Sequence, residues 1–312
     1  MKQSVVAWVE RYFYAPSLGE RCLSYLLYPL SLLYCGIVWL RYKTATERDV
    51  HIPVVSVGNL SVGGSGKTPL VCALAATFVS PCIILRGYGR HSSGLIVVKD
   101  TEGIRCSVKE SGDEAMIYAK KLPSAVVIVS ENRDHAIQKA RQMQCEVVFL
   151  DDGYSKHHIK KYDILIDTVS SNRFCLPAGP FRERLWSGKT VYIAHEGSTF
   201  KRLVRYSNLT DAMLLVTAIA RPERLHSFLP RGVIGHYYFP DHYYFHIDEL
   251  EQLLQRSGAT SLLVTYKDYV KLSNSNLPLS LMDLELEVLP ELQQSVHAYV
   301  SDLKAYSQDR TH

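Results

Sequence analysis

Runs of β-branched and other apolar residues recur along the chain at 52–57, 81–85, 95–98, 125–129, 146–150, 162–167, 190–193 and 212–216. Longer stretches with helical spacing fall near 67–79, 112–121 and 133–143. A strand without polar alternation is buried on both faces, and parallel neighbours need a crossover about the length of a helix. The pattern predicts an α/β fold: a mostly parallel sheet with helices on both faces. From about 217 the rhythm restarts. A helix is expected near 221–229, another at 247–256 with Ile247, Leu250, Leu253 and Leu254 on one face, a strand at 260–265 and a last helix near 290–305. Residues 46–216 read as the main domain and 217–312 as a smaller C-terminal α/β domain.

Residues 1–45 differ from both. Cys22 to Leu40 carry no charge, and Arg21 on one side and Arg41 with Lys43 on the other bracket them. A helix of that length reaches roughly 28 Å, close to the hydrocarbon thickness of a bilayer. Pro29, Ser24, Ser31 and several tyrosines make it only moderately apolar, and no signal-peptide cleavage site follows. Three readings stand: a spanning helix, a helix pair lying in the membrane interface, or a buried helix of the globular body. The flanking cations with Trp39 are interface anchors, which makes 1–45 a membrane-associating helical segment.

Composition removes several classes. Apolar residues make up 47% of the 312, so the chain is globular rather than disordered. Thirty-five basic residues against 31 acidic ones leave no basic footprint for nucleic acid. The seven cysteines form no C-x-x-C pair, which argues against a disulfide framework or a cysteine zinc site. Nothing in the sequence points to a protein partner.

The sharpest motif runs Gly58-Asn59-Leu60-Ser61-Val62-Gly63-Gly64-Ser65-Gly66-Lys67-Thr68, after the strand Val54-Val55-Ser56-Val57 and before a helix. Strand, loop and helix in that order turn successive N–H groups and a helix N-terminus toward one anion, as a P-loop does. Ser61 to Thr68 are therefore the expected nucleotide cradle of a P-loop NTPase-like fold. Lys67 bridges the β- and γ-phosphates, and the Thr68 hydroxyl ligates Mg²⁺. Ser61 stands where the strict pattern has glycine. Further on, Val147-Val148-Phe149-Leu150 ends in Asp151-Asp152-Gly153, a buried strand delivering acids to Mg²⁺, with the roles of Asp151 and Asp152 open. No Asn-Lys-x-Asp guanine reader occurs, which tips the nucleotide toward ATP.

Taken in order, the motifs resemble the tetraacyldisaccharide 4'-kinases of lipid A biosynthesis over nearly the whole chain. They are Trp39-Leu40-Arg41, the P-loop with Ser61, Arg86-Gly87-Tyr88-Gly89-Arg90, Ser111-Gly112-Asp113-Glu114 and Asp151-Asp152-Gly153-Tyr154. Leu176 to Glu183, Phe239-Pro240-Asp241-His242 and Thr265 to Leu272 follow. The resemblance implies transfer of the γ-phosphoryl of ATP, with Mg²⁺, to the 4'-hydroxyl of an acylated glucosamine disaccharide 1-phosphate, giving lipid IVA. It implies a place at the cytoplasmic face of the inner membrane, in contact with its lipid. It assigns Asp113 as the base that takes the hydroxyl proton and His242 as its orienting partner.

Arg86, Arg90, Arg182 and Arg184 sit near glycines or turns and suit phosphate oxygens, with Glu183 in the same network and no division between donor and acceptor. Departures from the family pattern include Tyr154-Ser155-Lys156, Ala115, Ala218 to Pro222, and Tyr266. His157 and His158 are read as surface residues. The aromatic cluster Tyr237, Tyr238, Phe239, Tyr243, Tyr244, Phe245 either faces lipid or sugar or packs as core. Two other function classes fit parts of the sequence: a P-loop kinase of a soluble small molecule or sugar, and a membrane-tethered ATP switch, which needs no base.

Overall fold

The computed structural model describes residues 2–63, 66–168 and 170–309. In chain order the elements are α1 (Lys2–Tyr14), α2 (Leu18–Thr44), β1 (Val54–Gly58), α3 (Lys67–Ala75), β2 (Pro81–Leu85), β3 (Ile96–Asp100), β4 (Gly103–Ile104) and α4 (Val108–Ser111). Next come α5 (Asp113–Lys121), β5 (Val126–Val129), α6 (Arg133–Gln142), β6 (Val147–Asp151), β7 (Tyr162–Ile166), β8 (Tyr192–Ala194), β9 (Phe200–Ser207) and β10 (Met213–Thr217). A 3₁₀ helix (Pro222–Phe228), β11 (Val233–Tyr238), α7 (Ile247–Ser257), β12 (Ser261–Thr265), α8 (Tyr266–Leu272), β13 (Leu279–Val288) and α9 (Pro290–Asp309) complete the chain.

Two compact units form. One takes 1–67, 137–200 and 288–312, the other 68–136 and 201–287. In the first unit β6-β1-β7-β8 lie side by side, all parallel. β1 and β6 are buried at every position, Ser56 and the terminal Asp151 included, as their lack of polar alternation predicts. Their register sets Val57 opposite Asp151, so the strand that opens the P-loop and the strand that carries the acids end together. On α9, Leu292, Val296 and Val300 are buried at a spacing of four.

The second unit holds β4-β3-β5-β2, with β2 and β5 parallel and β3 antiparallel to both neighbours. It also holds β11-β10-β12-β13-β9, in which β11, β10, β12 and β13 run parallel. Phe239 is buried with Val216 and Leu250, and Tyr243 and Phe245 pack against that core. Of the aromatic cluster, Phe239, Tyr243 and Phe245 thus pack as core, whereas Tyr237 is 43% exposed.

Some elements differ from expectation. α3 stops at Ala75, where tighter turns take over through Thr77 N–H to Leu74 O at 3.2 Å and Phe78 N–H to Ala75 O at 3.1 Å. β9, with two charged residues in its first three, and β11, half-exposed at a sheet edge, lack the apolar run that marks a buried strand. β13 alternates polar and apolar residues and was likewise not expected.

α2 runs unbroken through Pro29. Its start is fixed by a capping box, Ser17 with Glu20, and Glu20 also pairs with Arg11 at 2.7 Å. Its protein-facing stripe is polar or small, with Ser24, Ser31 and Val38 buried. Ser31 donates to Cys175 O (2.8 Å), Tyr34 to Arg182 O (3.1 Å), and Asn172 Nδ2 to Ser24 Oγ (3.3 Å). The leucines face outward instead, Leu26 76% and Leu33 65% exposed. A buried core helix has the opposite arrangement, so that reading of the segment is set aside.

In the second unit α8 is pinned to the end of β10. Asp268, fully buried, accepts from Thr217 Oγ1 at 2.6 Å, Thr265 Oγ1 at 2.8 Å and the Ala218 N–H at 3.2 Å, and pairs with Lys271 at 3.1 Å. Asp268→Ala leaves Lys271, 4% exposed, buried without its carboxylate. The variant is expected to lose about 3–5 kcal/mol of unfolding free energy. A urea midpoint close to wild type would show that this latch is dispensable.

Candidate functional site

The nucleotide-binding sequence lies in the first unit, apart from Thr68, which follows Lys67 in α3. Beyond β1, the chain is held by the 180–183 segment: Val62 N–H donates to Pro180 O at 2.9 Å, and Arg182 and Glu183 N–H both donate to Leu60 O, at 2.9 and 3.1 Å. Ser61 bridges to Phe181 in extended conformation, and its hydroxyl lies 2.8 Å from that of Thr168. Glycine is not needed at Ser61 because the tight turning falls later, at Gly63 and Gly66, whose φ values of 103° and 88° favour glycine. Gly64 and Ser65 lie outside the described residues.

Lys67 starts α3 with its Nζ 3.0 Å from Asn59 Oδ1 and 3.9 Å from Asp152 Oδ1. Arg182 reaches the same two acceptors, Asn59 at 3.1 Å and the Asp152 carboxylate. Lys67, Arg182 and Asp152 are thus together, as the motifs predict, and Asp151 ends β6 beside them. Asn59 joins them without having been foreseen. It is 1% exposed, and its amide also donates to Ser61 O at 2.7 Å. A polar side chain inside the apolar start of the loop was the available signal.

Other predicted contacts are engaged elsewhere. The Glu183 carboxylate is buried, 3.8 Å from His157 Nε2. Arg184 donates to Cys175 Sγ at 3.3 Å and lies over the Phe181 ring. His157 is not a surface residue: its side chain is 5% exposed, packed on Tyr42 and Tyr154 and 3.0 Å from Lys189 Nζ. Aromatic neighbours far away in sequence bury it, which local polarity does not reveal.

In the second unit a different cluster forms. Gly112, with φ 85°, turns the chain between α4 and α5, and a Cβ there would sit 3.2 Å from Tyr88 O. Asp113 follows as the first residue of α5, its side chain only 6% exposed. His242 Nδ1 lies 2.9 Å from Asp113 Oδ2 and 3.2 Å from Oδ1. His242 is itself held in a left-handed conformation, φ 61°, by its N–H to Ala218 O at 3.1 Å. Strained backbone at a functional side chain is a common association. Lys267, from the first turn of α8, reaches His242 Nε2 at 3.3 Å, Asp241 Oδ1 at 3.0 Å and Asp113 Oδ2 at 3.8 Å. Lys267 and Asp241 stand within the sequence motifs, where local sequence alone assigns neither a role.

Burial pushes the Asp113 carboxyl up, but the His242 hydrogen bond and the Lys267 charge outweigh it and hold the group below its ordinary value. The bond to Asp113 raises His242 against burial and the Lys267 charge. Burial lowers Lys267, yet Asp113 and Asp241 together leave it raised. Asp113 is therefore a carboxylate in neutral solution, able to take a proton. Arg86 stands exposed at the end of β2. Arg90 is turned inward instead, its side chain 2% exposed and paired with Glu131 and Gly94 O.

Nearly the whole chain is similar to proteins of known activity. The family model described as LpxK, tetraacyldisaccharide-1-P 4'-kinase, matches residues 23–302. A tetraacyldisaccharide 4'-kinase of Helicobacter pylori is 42% identical over 94% of this chain and 95% of its own. One from Aliarcobacter butzleri is 40% identical over 97% and 100%, and one from Campylobacter jejuni 39% over 95% and 97%. A crystal structure of the "apo" form of LpxK from Aquifex aeolicus in complex with ATP superposes with TM-score 0.69 at 25% identity, covering 89% of this chain and 99% of that one. With a family match across nine-tenths of its length, the chain belongs to the tetraacyldisaccharide-1-P 4'-kinases.

Proposed function

We infer that this chain moves the γ-phosphoryl group of ATP onto the 4'-hydroxyl of tetraacyldisaccharide 1-phosphate, giving lipid IVA. The observation that carries this reading, against an ATP switch, is the buried Asp113 carboxylate bonded to His242 at 2.9 Å. A switch has no use for a base. A sugar hydroxyl is a poor nucleophile and gains from a carboxylate that accepts its proton as the bond to phosphorus forms. Asp113 takes that proton, the sugar oxygen bonds to the γ-phosphorus, and the P–O bond to ADP breaks with its electron pair leaving on ADP.

Lys67, at the start of α3 and the end of the Ser61 to Lys67 loop, takes the role of phosphate cradle, while the Val62 N–H stays bound to Pro180 O. Arg182, beside Lys67 at Asn59 and Asp152, suits the charge that develops on the transferring group. Mg²⁺ takes hard oxygen ligands, and Thr68, Asp151 and Asp152 offer hydroxyl and carboxylate oxygens of that kind. Bound there, the ion neutralises phosphate charge. Arg86, exposed and glycine-flanked, is suited to a substrate phosphate; Arg90, turned inward, holds Gly94 O, and Glu183 is buried beside His157.

α2 is proposed to lie along the cytoplasmic face of the inner membrane, its leucine face in lipid and its serine face on its own unit. Helix Leu18–Thr44 is long and apolar enough to cross a bilayer by length and composition, but it contacts its own unit from Ser24 to Tyr42. That favours a helix lying in the interface, where an acylated substrate also resides.

Three outcomes test these assignments. Lys67→Ala and Thr68→Ala are each expected to slow turnover by at least ~10²-fold; near wild-type rates in folded protein remove the P-loop assignment. Asp113→Asn is expected to lose ~10²–10⁴-fold in kcat while ATP still binds. His242→Ala should lose less, and the double variant should be little worse than Asp113→Asn, whereas full additivity would mean independent roles. Leu26→Glu with Leu33→Glu, both on the outward face, should lower recovery with membranes and raise KM for the lipid, with KM for ATP unchanged. Unaltered membrane recovery would place the apolar contact elsewhere.

A further inference from the structure

Lys267 occupies a position that helix stability does not explain. It stands in the first turn of α8, where N–H dipoles disfavour a cation. Its side chain is only 20% exposed, so its charge is partly desolvated. The chain accepts both costs because Asp268, the next residue, anchors α8 to Thr217 and Ala218. Ala218 donates its N–H to Asp268 and accepts the His242 N–H at its carbonyl. One strand end therefore fixes Lys267 and His242 against each other.

We propose that Lys267 is a positioning residue for the phosphoryl-transfer base, donating to Nε2 of His242 so that the ring must present Nδ1–H to Asp113. This rests on the reading of Asp113 as the base. An ammonium group has only N–H donors, so at 3.3 Å the ring nitrogen facing it is the acceptor. A neutral imidazole has one N–H, which then falls on Nδ1, 2.9 Å from the Asp113 carboxylate. Asp241 is the alternative partner for Nε2, but its oxygen is 3.6 Å away, beyond a hydrogen bond, and it takes the Lys267 ammonium at 3.0 Å. The Lys267 charge also opposes a second proton on His242.

The groups around the pair come from every neighbouring segment. Asp113 and Glu114 belong to α5, Lys267 and Lys271 to α8, Asp241 to the ring's own loop, and the Tyr88 ring lies 5.6 Å from that of His242. Lys267 lowers both Asp113 and His242. Loss of its charge therefore raises both, and the form with Asp113 ionised and His242 neutral is reached only at higher pH. The acid limb of the kcat profile moves upward.

The experiment compares Lys267→Gln, Lys267→Arg and Asp113→Asn in full-length enzyme with ATP, Mg²⁺ and the lipid disaccharide 1-phosphate. Lys267→Gln keeps a donor but loses the charge; its acid limb should rise by ~1 pH unit or more, costing ~10-fold in kcat below the limb with KM for ATP unchanged. Lys267→Arg should return the limb toward wild type. In an Asp113→Asn background, Lys267→Gln should add little. An unmoved limb in Lys267→Gln, or an equal loss at all pH values that Arg does not rescue, overturns the proposal and leaves Lys267 structural. Full activity of Asp113→Asn instead removes the base reading itself. If the variants fold poorly, ¹⁵N shifts of the His242 ring in wild-type protein decide: in mildly alkaline solution they should report hydrogen on Nδ1 and a free lone pair on Nε2, and the opposite tautomer overturns the proposal.

Discussion

Taking a carboxylate out of water costs several kcal/mol unless cations and N–H or O–H donors replace the lost hydration. Each unit of this protein is organised around acids answered in that way. Asp163, on β7 and 2% exposed, is met by Lys161 at 3.4 Å and Lys189 at 2.9 Å, and burial still draws Lys161 down to about 8. Asp268 gathers two threonine hydroxyls, a backbone N–H and Lys271. Asp113 has His242 and Lys267. Such groups tolerate little displacement, because moving one partner strands a charge.

That constraint links local structure to chemistry in the second unit. Asp268 has no part in proton transfer, yet it decides where Lys267 stands. Lys267 in turn faces the one nitrogen of His242 that does not face Asp113. In the first unit Asn59 acts similarly, its amide oxygen shared by Lys67 and Arg182 while its NH₂ holds Ser61 O. Both cations are thereby kept beside Asp152. Side chains next to the reacting groups, and not only those groups themselves, set the geometry.

α2 follows a different rule. Its polar stripe is inside and its leucines are outside, so water is not the solvent its outer face suits. Hydrogen bonds from Ser31 and Tyr34 to the 175–182 backbone join this helix to the segment whose Arg182 stands beside Lys67. The outward leucine face and the Lys67–Arg182 pair thus belong to neighbouring parts of one unit.

Much of this was legible without a structure. Apolar runs at 147–150 and, but for Ser56, at 54–57 identify buried parallel strands because they show no polar alternation toward water, and glycines before Lys67 mark a turn few other residues can make. The ordered motifs identify the family, and they hold Asp113 and His242, which the fold brings within 2.9 Å. Other features depend on contacts that periodicity does not encode. β9 and β11 take strand form through pairing, despite charge and exposure. His157 is buried by Tyr42 and Tyr154, not by its own neighbours in sequence. Arg90 and Arg184 look like phosphate ligands until Glu131 and Cys175 are found beside them. Lys267 becomes more than a helix lysine only when Asp268 pins α8 to the end of β10. A sequence records which groups are available and which segments must be buried. Which acid meets which cation is settled in three dimensions, because the energy of a buried charge depends on distances of a few ångströms between residues more than a hundred positions apart.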